Sequence, residues 1–390
     1  MRVLHVTSDW KWTGPAAPML ELILAQRARG FAVDLACPAP PPGETVNLWD
    51  RSVAAGVPPG CLLTRARGVS PWRDGPDTQA LASFVARGDF DVVHAWHTRD
   101  HVLSLRAAAR RRRAGRTRLV RSLPTAEPIA RWPWNRWLFG RGTDALVCVS
   151  PTAAARNRRV RGGRPVTGIF GAVDLDRFAP ASPSVRMRVD LGLDGGHRVV
   201  GVVARAQRHR RFDLLLEAAA QLAARRPSFR LLVVGRGTHQ VEVVDRPARA
   251  LGIRDRVILA GYRSADYADV LRTCDVLTYL VPGSDGGCRA LLEAAACGIP
   301  AVATRRGTLP EIVIDGETGV LVDEDAASLA AAWETLLFDD ATRRRLGDAA
   351  RRRAVAVFNR ERLAEEVEAV YAAAIPKSDR LPSSEPSQCT

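Results

Sequence analysis

From its first residues the chain alternates short apolar runs with longer amphipathic stretches, and it does so twice. In the first half the apolar runs are Val3–Thr7, Ala32–Cys37, Val92–His94, Leu119–Arg121 and Ala145–Ser150. Between them Pro18–Arg29, Thr78–Ala86, Val102–Arg113 and Pro151–Arg158 carry helical spacing. The second half repeats the alternation, with strands expected at Val199–Val203, Leu231–Val234, Val257–Ala260, Val276–Leu280, Ala301–Thr304 and Val320–Val322. Its helices are expected at Phe212–Ala224, Asp266–Arg272, Arg289–Cys297 and Ala326–Leu337. Continuous apolar strands interleaved with helices predict parallel sheets covered on both faces. The length, 390 residues, suits two such α/β domains. Ligands of open parallel sheets bind beyond the carboxyl ends of the strands, so two facing sheets would form an inter-domain cleft.

The boundary is expected at Arg161–Pro165, just before a strand Val166–Phe170, giving domains 1–165 and 166–358. A last amphipathic helix is expected in 359–375, and the Pro- and Ser-rich tail 376–390 reads as disordered. No run of some 18 apolar residues marks a membrane span, and the start lacks the apolar region and cleavage site of a signal peptide. The seven cysteines are scattered, with no C-x-x-C pair. They support neither a zinc site nor a disulfide framework, and fit a reducing cytoplasm.

The net charge of +15 is uneven. Residues 1–170 hold 26 Lys or Arg and 12 Asp or Glu, a balance of +14, and the rest holds 31 and 30, a balance of +1. A genome-wide arginine bias accounts for part of the basic content but not for its concentration in one half. That half suits an acidic partner, either anionic lipid or an anionic acceptor. No nucleic-acid recognition module accompanies it, so no nucleic-acid partner is expected.

The densest chemistry lies in Ser284–Pro300, SDGGCRALLEAAACGIP. A short acidic, glycine-bearing loop leads into an alanine- and leucine-rich helix that stops at Gly298. Asp285 sits in the loop and Glu293 about two turns further on. The amides of Gly286, Gly287 and Cys288 are expected as unpaired donors for an anion or for hydroxyls. A carboxylate on each side of such a nest suits a ligand bearing both phosphate and polyol. As plain structure, Asp285 would be an Asx-turn residue and Glu293 a solvated helix residue.

At these residues the chain resembles the retaining glycosyltransferases of family 4, which have the GT-B fold: two Rossmann-like domains facing each other across a cleft, with a C-terminal helix crossing back. The acidic-x7-Glu pattern followed by Ala-x-Ala-x-Gly-x-Pro carries the likeness, and other segments follow in the family's order. They are Gly171–Pro180, Arg205–Ala218, Val233–Gly237, Leu251–Ile253, Gly307–Val313 and Asp315–Val322. The resemblance implies sugar transfer, of the hexosyltransferase type, from a nucleoside-diphosphate sugar to a lipid-linked, polysaccharide or small-molecule hydroxyl. Cell-envelope polysaccharide synthesis is the implied setting. Neither a metal nor a further cofactor is implied. The N-terminal domain would take the acceptor and the C-terminal domain the donor. Glu293 would hold the ribose, Asp285 the sugar, and Arg205 and Arg210 the diphosphate. Tyr262 and Arg263 would lie near the base.

The chain departs from the family in places. Asp285 replaces a more usual Glu, Arg210 a Lys, and Arg211 a Gly. Thr13-Gly14-Pro15 is a weak version of a glycine-rich phosphate or acceptor loop, since proline lacks an amide hydrogen; an ordinary turn is the alternative. A histidine that many relatives carry after a later strand is replaced by Ser122–Thr125, and His97 or Glu127 could occupy its space or be structural. The missing histidine and Arg211 leave a second reading: a nucleotide-sugar-binding protein that has lost transfer. The segment Arg131–Trp137 mixes cations with tryptophans, as a peripheral contact with an anionic membrane would, or as a solvated charge run beside core aromatics does.

Overall fold

The structure, a computed structural model, describes residues 1–375 apart from 13–14, 65–67, 71, 238 and 283–285. Gly14, Asp285 and the tail 376–390 therefore lie outside the described residues. The chain divides into two compact units. The first comprises Met1–Ile169 with the closing segment from Leu363, and the second Phe170–Arg362.

The first unit is built on seven parallel strands: β1 (Arg2–Val6), β2 (Ala32–Pro38), β3 (Cys61–Leu63), β4 (Val92–Ala95), β5 (Arg118–Leu123), β6 (Ala145–Cys148) and β7 (Val166–Gly168). Their order across the sheet is β3-β2-β1-β4-β5-β6-β7. The order reverses between β1 and β4, which pair directly, His5 opposite His94. The second unit carries six parallel strands: β8 (Arg198–Val203), β9 (Phe229–Val234), β10 (Val257–Gly261), β11 (Val276–Tyr279), β12 (Ala301–Thr304) and β13 (Gly319–Val322). They run β10-β9-β8-β11-β12-β13, reversing between β8 and β11. Parallel neighbours need crossovers, and the amphipathic stretches supply them as helices. Both units are Rossmann-like α/β layers. Val3, Leu4, Val92, Val93 and Val120 are fully buried in the first sheet, and Val199, Val200, Leu231, Leu232 and Val302 in the second.

Two sequence expectations change. Val166–Gly168, expected to open the second domain, is the edge strand of the first sheet and pairs with β6. Gly168 explains its placement, since a Cβ there would lie 2.3 Å from the Ser150 carbonyl oxygen. Val102–Arg113 is not one helix; it falls in two, Thr98–Ala107 and Ala109–Arg113. The first starts early because His97 and Asp100 form a capping box at its N-terminus. The helix expected at Arg289–Cys297 forms as Arg289–Ala296.

The closing helix Arg360–Ala374 places Tyr371 fully buried, with its hydroxyl 2.6 Å from His94 Nδ1. Arg29 pairs with Glu368 on the same helix at 3.0 Å. Among the described residues no helix is long and apolar enough to cross a membrane.

Candidate functional site

In each unit the reversal of strand order leaves a crevice at the carboxyl ends of two adjacent strands, the place where open α/β sheets bind ligands. In the second unit these strands are β8 and β11. The loop after β8 carries Arg205 and a single 3-10 turn, Arg208–Arg210. The segment after β11 leads to the helix Arg289–Ala296, which carries Glu293. Arg210 ties the two together by donating from Nη1 to the Val281 carbonyl at 3.2 Å.

Arg205 is exposed, and its guanidinium has no hydrogen-bond or ionic partner among the described residues. Arg210 is half-buried, and its Nε is buried without a partner. A buried donor left unpaired is costly unless a ligand satisfies it. Arg211 takes the left-handed conformation, φ 57°, which favours the glycine usual at that position. Its side chain turns outward to Asp213 and to Glu324, 2.9 Å from the latter. The larger residue thus leaves the path of the loop unchanged.

Glu293 is 5% exposed. Tyr267 donates to its Oε2 at 3.0 Å, and Arg289, one turn earlier, pairs with Oε1 at 3.1 Å. Burial, together with the Glu293 charge, raises the Tyr267 phenol well above its ordinary pKa, so it is a fixed donor. A buried carboxylate is tolerable only when paired in this way, and the two contacts lock its orientation. Cys288, φ 46°, is left-handed and caps the helix. Glu293 therefore lies about one turn inside, not two, because a left-handed residue cannot extend a right-handed helix. Gly286 is also left-handed, and its carbonyl accepts from Thr308 Oγ1 at 2.8 Å. That bond turns the carbonyl inward, and the amides of Gly286 and Gly287 have no partner among the described residues. Cys288 is fully buried, and its Sγ lies 3.6 Å from the Gly286 carbonyl.

Tyr262 is 41% exposed, with the Arg236 guanidinium 4.3 Å from its ring centroid. The Arg263 side chain is already committed, to the Ala260 carbonyl at 2.9 Å and to Asp266 at 2.7 Å. It shapes the turn after β10, while Tyr262 keeps an open ring face. The sequence reading missed Tyr267, Thr308 and Arg289. Arg289 was readable from its i,i+4 spacing to Glu293. Tyr267 and Thr308 reach their partners across the fold and left no local signal.

In the first unit, Thr7 and His97 follow β1 and β4, the strands of its own reversal. His97 Nδ1 lies 3.0 Å from Asp100 Oδ2 and 3.1 Å from Thr7 Oγ1, and its Nε2 is buried without a partner. Asp100 is fully buried. Burial pushes its pKa up, but the bonds from His97 and Ser8 outweigh that and leave it lowered. The result is an ionised carboxylate that fixes the ring and leaves the far nitrogen unpaired.

Two family models match. "Glycosyltransferase Family 4" covers residues 13–177, and "Glycosyl transferases group 1" covers 185–353. A GDP-mannose-dependent alpha-(1-6)-phosphatidylinositol monomannoside mannosyltransferase of Mycolicibacterium smegmatis is 31% identical over 68% of this chain and 72% of its own length. A D-inositol 3-phosphate glycosyltransferase of Corynebacterium jeikeium is 36% identical over 53% of this chain, and the chain spans about half the length of that relative, 51%. Among solved structures, Anabaena HepE in complex with UDP superposes with a TM-score of 0.79 at 19% identity, covering 96% of this chain and all of that one. A glycosyltransferase from Rickettsia africae superposes with a TM-score of 0.80 at 15% identity, covering 96% and 99%. At such identities the structural likeness shows the fold. With the family models and the mannosyltransferase match, it makes this chain a member of glycosyltransferase family 4.

Proposed function

We propose that the protein transfers a hexose from a nucleoside-diphosphate sugar to an acceptor hydroxyl, with retention of anomeric configuration and without a metal. The observation that carries this reading is the combination at the β8–β11 reversal: an unpartnered guanidinium at Arg205, an orphaned Nε at Arg210, and a buried, oriented carboxylate at Glu293. The arginines would take the diphosphate, since a guanidinium meets phosphate oxygens with a planar fork. They would also stabilise charge on the leaving diphosphate as the glycosidic bond breaks. Cationic side chains at that place perform the task a metal performs elsewhere. Glu293, an acceptor-only group, would receive the ribose hydroxyls, and the Gly286 and Gly287 amides would face phosphate or sugar oxygens. Asp285 would contact the sugar, and the exposed Tyr262 ring would stack on the base. UDP in HepE and GDP-mannose in the mycobacterial relative support a nucleotide-sugar donor.

The acceptor belongs to the first unit in this reading, with His97 Nε2 receiving its hydroxyl. Its class is a lipid-linked, polysaccharide or small-molecule alcohol, and the working compartment is the cytoplasm. The test is to incubate the protein with UDP- and GDP-hexoses and an acceptor panel, and to determine the product anomer by NMR. Transfer with the donor's configuration kept, unaffected by a chelator, is expected. An inverted product, or activity abolished by chelation, would overturn the mechanism. Donor binding with no transfer to any acceptor would favour the non-catalytic sugar-nucleotide-binding alternative.

A further inference from the structure

The first unit carries a second concave site, at the edge of its sheet remote from His97. Arg118 opens β5 and Asp144 immediately precedes β6, so this edge lies at the amino ends of the strands. His97 lies past the carboxyl end of β4. The cavity holds about 420 Å³ and is floored by Val102 and Leu105. Arg106, Arg113 and Arg141 line it. All three are exposed, and none has a side-chain partner among the described residues. The acid in the lining, Asp144, is already taken by Arg112 at 3.0 Å and Arg164 at 3.4 Å. Arg106, Arg113 and Arg141 are therefore left without a counter-charge in the lining, and the site is cationic.

One wall is aromatic. Trp134 and Trp137 line the cavity and stack on each other with ring centroids 5.1 Å apart. They are 54% and 45% exposed, and Trp132 just before them is 73% exposed. The helix Pro133–Gly140 buries only Leu138 and Phe139 and leaves its tryptophans outward. Exposed indoles carry an apolar body and a polar N–H, the combination suited to the boundary between lipid headgroups and acyl chains. Uncompensated guanidinium groups beside them suit phosphate.

We propose that this face docks on an anionic bilayer, with a lipid phosphate seated among Arg106, Arg113 and Arg141 and with Trp134 and Trp137 entering the headgroup boundary. A soluble phosphate would satisfy the arginines but leave three adjacent indoles in water. A bilayer covers both. The contact is monotopic, since it uses one short surface helix.

The test is co-sedimentation of the full chain with vesicles of phosphatidylcholine alone or mixed equally with phosphatidylglycerol. Binding to the mixed vesicles and not to phosphatidylcholine is expected, weakening as salt rises. Each basic residue near such a surface contributes about 1 kcal/mol, roughly fivefold, so the variant R106Q/R113Q/R141Q should bind at least about tenfold more weakly. The variant W134A/W137A should also lose binding. A control of equal charge change in the second unit, R186Q/R246Q/R352Q, should bind as wild type does. Circular dichroism melts check that each variant is folded. The proposal is overturned if the wild type ignores phosphatidylglycerol, if the control weakens binding as much as the arginine variant, or if the tryptophan pair is dispensable. It is also overturned if millimolar inorganic phosphate displaces the protein from vesicles at constant ionic strength, which would mark a soluble-phosphate site.

Discussion

At the scale of single residues, Arg211 in the second unit holds an unusual backbone. Arg211, φ 57°, occupies a conformation that costs a side-chain-bearing residue about 1–2 kcal/mol. Its contacts to Asp213 and Glu324 are partly exposed ion pairs, each worth about 0–1 kcal/mol. Arg211→Gly should therefore leave stability unchanged or raise it by about 1 kcal/mol, measured by urea unfolding. A loss beyond about 1 kcal/mol would show that the ion pairs, not the backbone, decide this position. The identity of Arg205, Arg210 and Glu293 as candidates was legible in the sequence, because each falls at a fixed offset within a motif. Their partners were not. The Tyr267–Glu293 bond spans 26 positions and depends on how two helices pack. The commitment of Arg263 to Ala260 and Asp266 likewise depends on a turn whose geometry no local pattern specifies.

At the scale of elements, two glycines explain how the Arg205 loop is held. The Ala206 amide donates to the Arg236 carbonyl at 3.2 Å, so the loop after β8 rests on the loop after β9. A Cβ on Gly237 would lie 2.5 Å from the Ala206 carbonyl oxygen, and one on Gly235 would lie 2.2 Å from that of Ala204. Backbone cannot yield as a flexible side chain can, so Gly237→Ala should push the Arg205 loop outward. We expect it to weaken nucleotide binding by about tenfold, or 1.4 kcal/mol, in a titration of UDP or GDP, with circular dichroism unchanged. Unaltered affinity would mean that the loop position does not matter for the ligand. The strands were readable as apolar runs because they are buried on both faces. The edge strand Cys61–Leu63 escaped notice because its run of 3 residues is too short to show a strand period. The helix Asp340–Val357 was obscured by its arginines; it buries mainly alanine, leucine and Gly347. Gly347 fits against Gly298, whose carbonyl oxygen would be 2.2 Å from an added Cβ.

At the scale of the whole molecule the two units differ in what they bury. The first encloses a polar core in which His5 bonds Gln26 at 2.9 Å, Trp96 donates to His5 at 3.0 Å, and His94 lies 2.8 Å from Ser122. Burial lowers the pKa of His5 to about 4 and moves His94 and His101 well below the usual value. In the unfolded chain these histidines titrate near 6.5. Below that value the unfolded state binds more protons, so stability present above pH 6.5 is lost as pH falls toward 4. His5 alone should cost about 2 kcal/mol between pH 7 and pH 5, before most carboxylates titrate. That corresponds to a fall of roughly 4–8 °C in the melting transition of the first unit, observable by calorimetry. A transition unchanged over that range would contradict neutral burial of these rings. Two parallel-sheet units were legible from the alternation of strands and helices. Their boundary was not, because Val166–Gly168 reads equally well as the last strand of one sheet or the first of the next. The central claim concerns the second unit, where Arg205 and Glu293 flank the β8–β11 reversal. Calorimetric titration of UDP and GDP into wild type, Arg205→Ala and Glu293→Ala tests it most directly. Wild type should bind at least one nucleotide, and each substitution should weaken that binding by at least about tenfold, or 1.4 kcal/mol, while leaving the melting temperature in the absence of ligand within a few degrees. Equal affinity in all three proteins would contradict the account.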